Sequence, residues 1–128
     1  MIIDPDTLDP QSCYKLLIGA VVSRPIAWTS TVSREGVRNL ASFSFFTVAS
    51  PQPPMLCISV GPRSDEDLDK DTLSNVEETG EFVVNIVSLS LSNTMFESSK
   101  NHPPEADEFE KAGLTPTPCE VVGAPRVE

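Results

Sequence analysis

The chain has 128 residues, 39% of them hydrophobic, and a formal net charge of −10; that length suits one domain with one core. So acidic a surface repels a polyanion, which excludes general nucleic-acid binding. No apolar run reaches the ~18 residues of a membrane helix, and the acidic, proline-punctuated start "MIIDPDTLDP" is unlike a secretory or transit signal, so no membrane partner and a soluble, cytoplasmic protein are expected.

The charge is uneven: residues 1–9 carry −3, residues 10–64 carry +4 and residues 65–128 carry −11. An anionic small ligand finds its best reception in the middle segment, with Lys70 just beyond it, although an unevenly charged solvated surface accounts for the pattern equally well. Cys13, Cys57 and Cys119 are odd in number and widely spaced, with no CxxC pair. Reduced thiols are expected, and neither a zinc site nor a disulfide framework.

In chain order, "DPDTLDPQSCYKLL" predicts a lead-in with a short helical turn. "LLIGAVV" is too short and too apolar for a surface helix and predicts a buried strand. "PIAWTSTVS" and "VRNLASFSFFTV" are rich in β-branched and aromatic residues; with "REG" between them and Gly36 free to take a positive φ, they predict a hairpin. Neither face of the hairpin is cleanly apolar. "SPQPP" breaks the chain before "MLCISV", read as a third core strand, and "GPRSDEDLDKD" reads as an acidic loop.

Further on, "TLSNVEETG" predicts a short helix with Asp71 as N-cap, Leu73 and Val76 facing inward, and Gly80 as terminator. "EFVVNIV" predicts a strand buried on both sides. "SLSLSNTMFESSK" and "PPEADEFEKAG" predict two helices, the second opened by proline and closed by Gly113. The fold class is therefore mainly β with peripheral helices, an antiparallel sheet or barrel. "LTPTPCEVVGAPRVE" leads toward a further strand. About five strand candidates precede it, few against the about eight that give a side-chain-filled barrel.

Several chemistries lack their residues. His102, in "SSKNHPPEAD", has no nucleophile motif such as GxSxG beside it and reads chiefly as a polar loop residue. "SDEDLDKD" lacks the glycine and the distant glutamate of an EF-hand, and there is neither GxGxxG nor GxxxxGK[ST]. What remains is positioning chemistry. A flavin brings its own redox reactivity and asks for hydrogen bonds to its ring edge, an apolar wall, and cations or amides for its phosphate. Asn39, Ser42 and Ser44 offer the hydrogen bonds, Trp28, Phe43, Phe45 and Phe46 the walls, and Arg24 or Arg38 the cation. Lys70, Asp71 and Thr72 add an ammonium and a hydroxyl at a helix N-terminus. A plain core hairpin, with aromatics packed inward and serines capping strand edges, explains the same residues about as well.

Taken in order, "YKLLIGAVVSRPIAWTSTVSREGVRNLASFSFFTVASPQPPMLCISVG", "KDTLSNVEETGEFVVNIV", "DEFEKAGLTP" and "APRVE" resemble the flavin reductase-like, FMN-binding split-barrel family, from about Asp4 to Glu128. The resemblance implies a split β-barrel with a Greek-key element and a homodimer holding FMN noncovalently near its interface. For many members it implies NAD(P)H-dependent reduction of flavin, a hydride passing from nicotinamide to flavin N5, sometimes feeding a partner monooxygenase; other members are non-catalytic FMN carriers. No general acid or base is implied.

By the same resemblance, Asn39, Ala41, Ser42, Phe43, Ser44 and Phe45 would wrap the flavin ring and ribityl chain, with contributions from Arg24 and Trp28. Ser59 would approach the flavin, and Lys70 and Thr72, with Asp71 between them, would meet the phosphate. Ser42 stands where many relatives carry proline and Thr47 where asparagine is common. Family members continue past "PRVE" with barrel-completing strands, so residues 1–128 are expected to form a single, C-terminally incomplete split-barrel domain.

Overall fold

A computed structural model describes residues 4–61 and 70–128; most of the acidic loop read between Gly61 and Asp71 lies outside the described residues. The predicted hairpin forms. Strand β1 (Ala27–Val32) pairs antiparallel with β2 (Arg38–Phe43), from Ala27 opposite Phe43 to Val32 opposite Arg38. Gly36 in the connecting turn has φ 87°, a conformation that side chains with a Cβ rarely adopt. On the other side of β1 lies β5 (Val83–Asn85), so the sheet order is β2-β1-β5 with β1 in the centre.

Both faces of β1 are covered. On one, Trp28 of β1 and Leu40 of β2 pack with Phe109 of helix α4 (Glu108–Ala112), and all three are fully buried. Val87, Leu91, Met95, Leu114 and Val127 surround them, Met95 coming from helix α3 (Ser92–Ser98). Burying side chains of this size is worth roughly 1.5–3 kcal/mol each, as an upper bound. The other face carries Thr29, Thr31 and Asn39 under helix α2 (Asp71–Thr79). Thr31 and Asn39 are joined to the helix above them: Asn39 Nδ2 donates to Thr31 Oγ1 at 3.3 Å and to Thr72 Oγ1 at 2.8 Å, and Asn75 Nδ2 donates to Thr31 Oγ1 at 3.0 Å, whereas the buried Thr29 hydroxyl has no hydrogen-bond partner among the described residues.

Several expectations need correction. "LLIGAVV" is no buried strand: its first five residues complete helix α1 (Pro10–Ala20), none of whose residues is buried. The helix has proline in its first turn and an Asp9 N-cap that accepts from Ser12 N at 3.0 Å, and these end signals outweigh the apolar run. "VRNLASFSFFTV" is not one strand. It breaks at Ser44 and Phe45, and strand β3 (Phe46–Pro51) turns away to pair with β4 (Pro54–Ile58). β4, expected in the core, is mostly exposed. β5 is an edge strand of half-buried residues rather than one buried on both sides.

Helix α2 starts after Lys70 as N-cap, with Asp71 as its first residue, and ends at Gly80 in the left-handed region. Its buried residues are Thr72 and Asn75; Leu73 and Val76 are half-buried and line an open apolar pocket of about 220 Å³ toward Leu56 and Ile58. Helix α4 opens on Asp107, whose carboxylate accepts from Phe109 N and Glu110 N, and not on proline; Gly113 closes it as expected. Near the C-terminus, β6 (Pro116–Thr117) pairs with β7 (Arg126–Val127). Among the described residues the strands make three small sheets and close no barrel. No described helix is long and apolar enough to cross a membrane, and the three cysteines are free thiols.

Candidate functional site

β2, the start of α2 and the segment after α3 converge on one cleft. Six residues singled out in the sequence line it: Asn39, Ala41, Ser42, Lys70, Asp71 and Thr72. Each arrives for a local reason. Asn39 and Ala41 point to the α2 side of the hairpin, where Asn39 is tied to Thr72. Lys70 has an extended backbone and contributes no side-chain cap, so α2 opens with main-chain N–H groups that its own N-cap side chain does not satisfy. The Lys70 ammonium lies 5.2 Å from the ring centre of Phe43, over its face. Phe43 is buried and forms a floor beneath Lys70 rather than an open wall.

The enclosed space is small, about 60 Å³, room for a few waters or one phosphate-sized group and not for a tricyclic ring. On the α2 side its donors are the Lys70 ammonium, hydroxyls from Ser42 and Thr72, and the N-terminus of α2, a set that suits an anion, while Lys100 and the carboxylates of Asp71 and Glu108 also belong to the lining. The opposite wall was not foreseen: it comprises Ser98, Ser99, Lys100, Asn101 and His102, with Glu108 alongside. Lys100 pairs with Glu97, and Glu108 Oε2 accepts from Leu40 N at 2.6 Å. Two features of the sequence mark this wall, the polar run "SSKNH" directly after a helix and an acid just before Phe109. Neither has a spacing that separates it from an ordinary loop.

The remaining expected site residues fall elsewhere. Trp28 is fully buried in the core and its indole N–H donates to Ser98 Oγ at 2.8 Å, so it presents no wall to a ligand. This corrects its expected role: the Trp28 face of β1 is the one that α3 and α4 cover. Arg24 Nη1 donates to Ile18 O at 2.7 Å and Val21 O at 2.8 Å, satisfying carbonyls at the end of α1. Its guanidinium also lies 5.8 Å from the ring centre of Phe45, which meets Tyr14 edge-on at 6.1 Å. Ser59 joins this second group through its N–H, which donates to Phe45 O at 2.9 Å, and Ser44 sits half-buried in the bend just before. Phe46, the remaining candidate wall, is half-buried at the start of β3. Arg38, the alternative cation, is engaged by Asp107 at 2.5 Å and Glu110 at 3.6 Å.

Residues 19–128 match the model of the flavin reductase like domain, and the chain belongs to that family. A curated relative, an uncharacterized protein from Aquifex aeolicus (strain VF5), is 51% identical over 120 residues, which is 94% of this chain and 61% of the relative. Among solved structures, nitrilotriacetate monooxygenase component B from Bacillus cereus is 38% identical with a TM-score of 0.92, covering 100% of this chain and 62% of the other. A split-barrel domain protein from Shewanella frigidimarina NCIMB 400 is 23% identical with a TM-score of 0.80, covering 96% of this chain and 59% of the other, a likeness of fold alone. The fold is thus that of the flavin reductase split barrel, mainly strands with a few helices, and the chain spans about 60% of the length of such relatives.

Proposed function

We propose that this chain is the FMN-holding part of an NAD(P)H-dependent flavin reductase. The observation that carries the reading is the convergence of Asn39, Ser42, Lys70 and Thr72 on one cleft at the start of α2. Those groups fit a phosphate monoester: Lys70 supplies charge, the hydroxyls and the α2 N–H groups supply donors, and the small cleft excludes the ring. The ring and ribityl chain would then run along β2 toward Ser44, Phe45 and Ser59, with Asp71 at the phosphate end. Bound there, FMN would supply the hydride-accepting and electron-passing chemistry, which leaves orientation and electrostatics to the protein. Asn39 orients, because its amide is fixed by Thr31 and Thr72 and costs little to order on binding. Lys70 is backed by Phe43, which keeps the ammonium at the cleft mouth.

The likeness to a protein named as component B of a monooxygenase supports a partner monooxygenase that uses the reduced flavin. A homodimer with the flavin near its interface, in the cytoplasm, completes the proposal. The test uses the natural full-length protein: a yellow preparation with flavin absorbance, and NADH or NADPH oxidation accelerated by added FMN, are expected. Colourless protein with no affinity for FMN would sink the reading. Bound FMN without nicotinamide oxidation would point to the non-catalytic carrier instead.

A further inference from the structure

We propose that Glu108 is a positioning residue for the cleft: its carboxylate stands in for a neighbouring strand at the outer edge of β2 and fixes the backbone from which Asn39 and Ala41 reach the ligand. The proposal rests on the FMN reading for its functional consequence, and on the geometry of β2 for its cause.

β2 ends its sheet, with β1 on one side and, among the described residues, no strand on the other. The outward N–H groups of such a strand must be met by water or by another group. Leu40 is fully buried, so water is not available to its amide. Glu108 Oε2 accepts from Leu40 N at 2.6 Å, and Glu108 is itself only 7% exposed. A buried carboxylate is costly unless it is well bonded, and here it meets a buried donor that would otherwise be orphaned.

The neighbouring contacts have the same direction. Arg38, two residues before Leu40, is held by Asp107 at 2.5 Å and by Glu110 at 3.6 Å. The start of α4 thus grips β2 at alternate residues, 38 and 40, while the intervening Asn39 and the following Ala41 open on the cleft. Glu108 also lines that cleft. A shift of the Leu40 peptide therefore moves both flanking cleft residues, and shifts near 1 Å are enough to spoil a preorganised site.

The experiment compares the natural full-length protein with Glu108→Gln, which keeps an acceptor of the same reach, and Glu108→Leu, which removes it. FMN is titrated by fluorescence at a temperature where far-UV circular dichroism shows each protein folded, and the visible circular dichroism of the bound flavin is recorded. The Leu variant is expected to raise the Kd for FMN about tenfold or more and to alter the visible bands, with the Gln variant within about threefold of wild type. A folded Leu variant with wild-type Kd and bands would overturn the proposal, as would a Gln variant that loses as much as the Leu variant, since the charge and not the acceptor would then matter.

Should the Leu variant fail to fold, Glu108→Asp, one methylene too short to reach Leu40 N, is expected to weaken binding several-fold; wild-type binding by that variant would overturn the proposal. Failure of the wild type itself to bind FMN would end the functional reading. Amide exchange without flavin still decides the positioning: faster exchange at Leu40 in the Leu or Asp variant, restored in Gln, is expected, and unchanged exchange would overturn it.

Discussion

The two hairpins use similar residues and meet opposite fates. In β1, "AWTSTV", five of six residues are buried although three of them carry hydroxyls. In β4, "PMLCI", four of five are exposed although every one is apolar or weakly polar. The difference lies in what covers them. α2 lies over one face of the β1–β2 hairpin and α3 with α4 over the other, while the β3–β4 ribbon leaves Val48, Met55 and Leu56 exposed. Burial in this chain follows the placement of the helices, and hydrophobicity of a strand only makes burial profitable once a cover is in place.

Core truncation breaks that contrast most severely. Phe109→Ala is expected to cost about 3–5 kcal/mol in urea denaturation of the 128-residue chain, because it empties a fully buried site. Val48→Ala on the ribbon is expected to stay within about 0.5 kcal/mol. Equal losses would mean that the ribbon is as tightly covered as the hairpin.

The next largest effect separates the cleft from the Arg24–Phe45 group. Lys70→Ala is expected to weaken FMN binding to the full-length protein by about 1–3 kcal/mol, the worth of a charge-assisted hydrogen bond. An unchanged Kd in an isothermal titration would place the phosphate away from α2.

Two helix caps sharpen the comparison further. Asp107 both caps α4 and holds Arg38, beside the core; Asp107→Ala is expected to lower stability by about 1–2 kcal/mol, read as a lower denaturation midpoint with unchanged slope. Asp9 caps α1, which buries no residue, and the corresponding loss there is expected to be the smallest. Its carboxyl is held below the usual value first by a hydrogen bond from the Ser12 hydroxyl and then by one from the Ser12 amide. A depressed folded-state pKa contributes stability above the unfolded value of about 3.9, lost as pH falls through the folded one. Acidification through that range should therefore fray α1, seen as a fall in far-UV helicity that Asp9→Asn abolishes.

How much was legible follows from how local each signal is. The β1–β2 hairpin, α2 with its Gly80 stop and the Gly113 stop rest on turn and cap chemistry within a few residues, and they stand as expected. Of the twelve site residues that the family resemblance implied, six meet in the cleft, and they come from "NLAS" and "KDT", two segments whose resemblance to the family is marked. Trp28 was misplaced because an aromatic on a strand has the same pattern whether it faces a ligand or a core; only the packing of Phe109 against it distinguishes the two. "LLIGAVV" was misread because an apolar run fits a strand and a helix alike, and the deciding Asp9–Pro10 signal lies upstream.

The sequence alone determined the hairpin and its turn, the Gly80 end of α2, the acidic charge balance and the family, because each is written in adjacent residues or in the order of short motifs. Only the tertiary structure decided which face of β1 is core, that the ribbon lies open, and that Ser98–His102 and Glu108 close the cleft across from Lys70. Those outcomes depend on segments some 30 to 70 residues apart meeting in space, and long-range packing leaves no periodic trace in the residues it brings together.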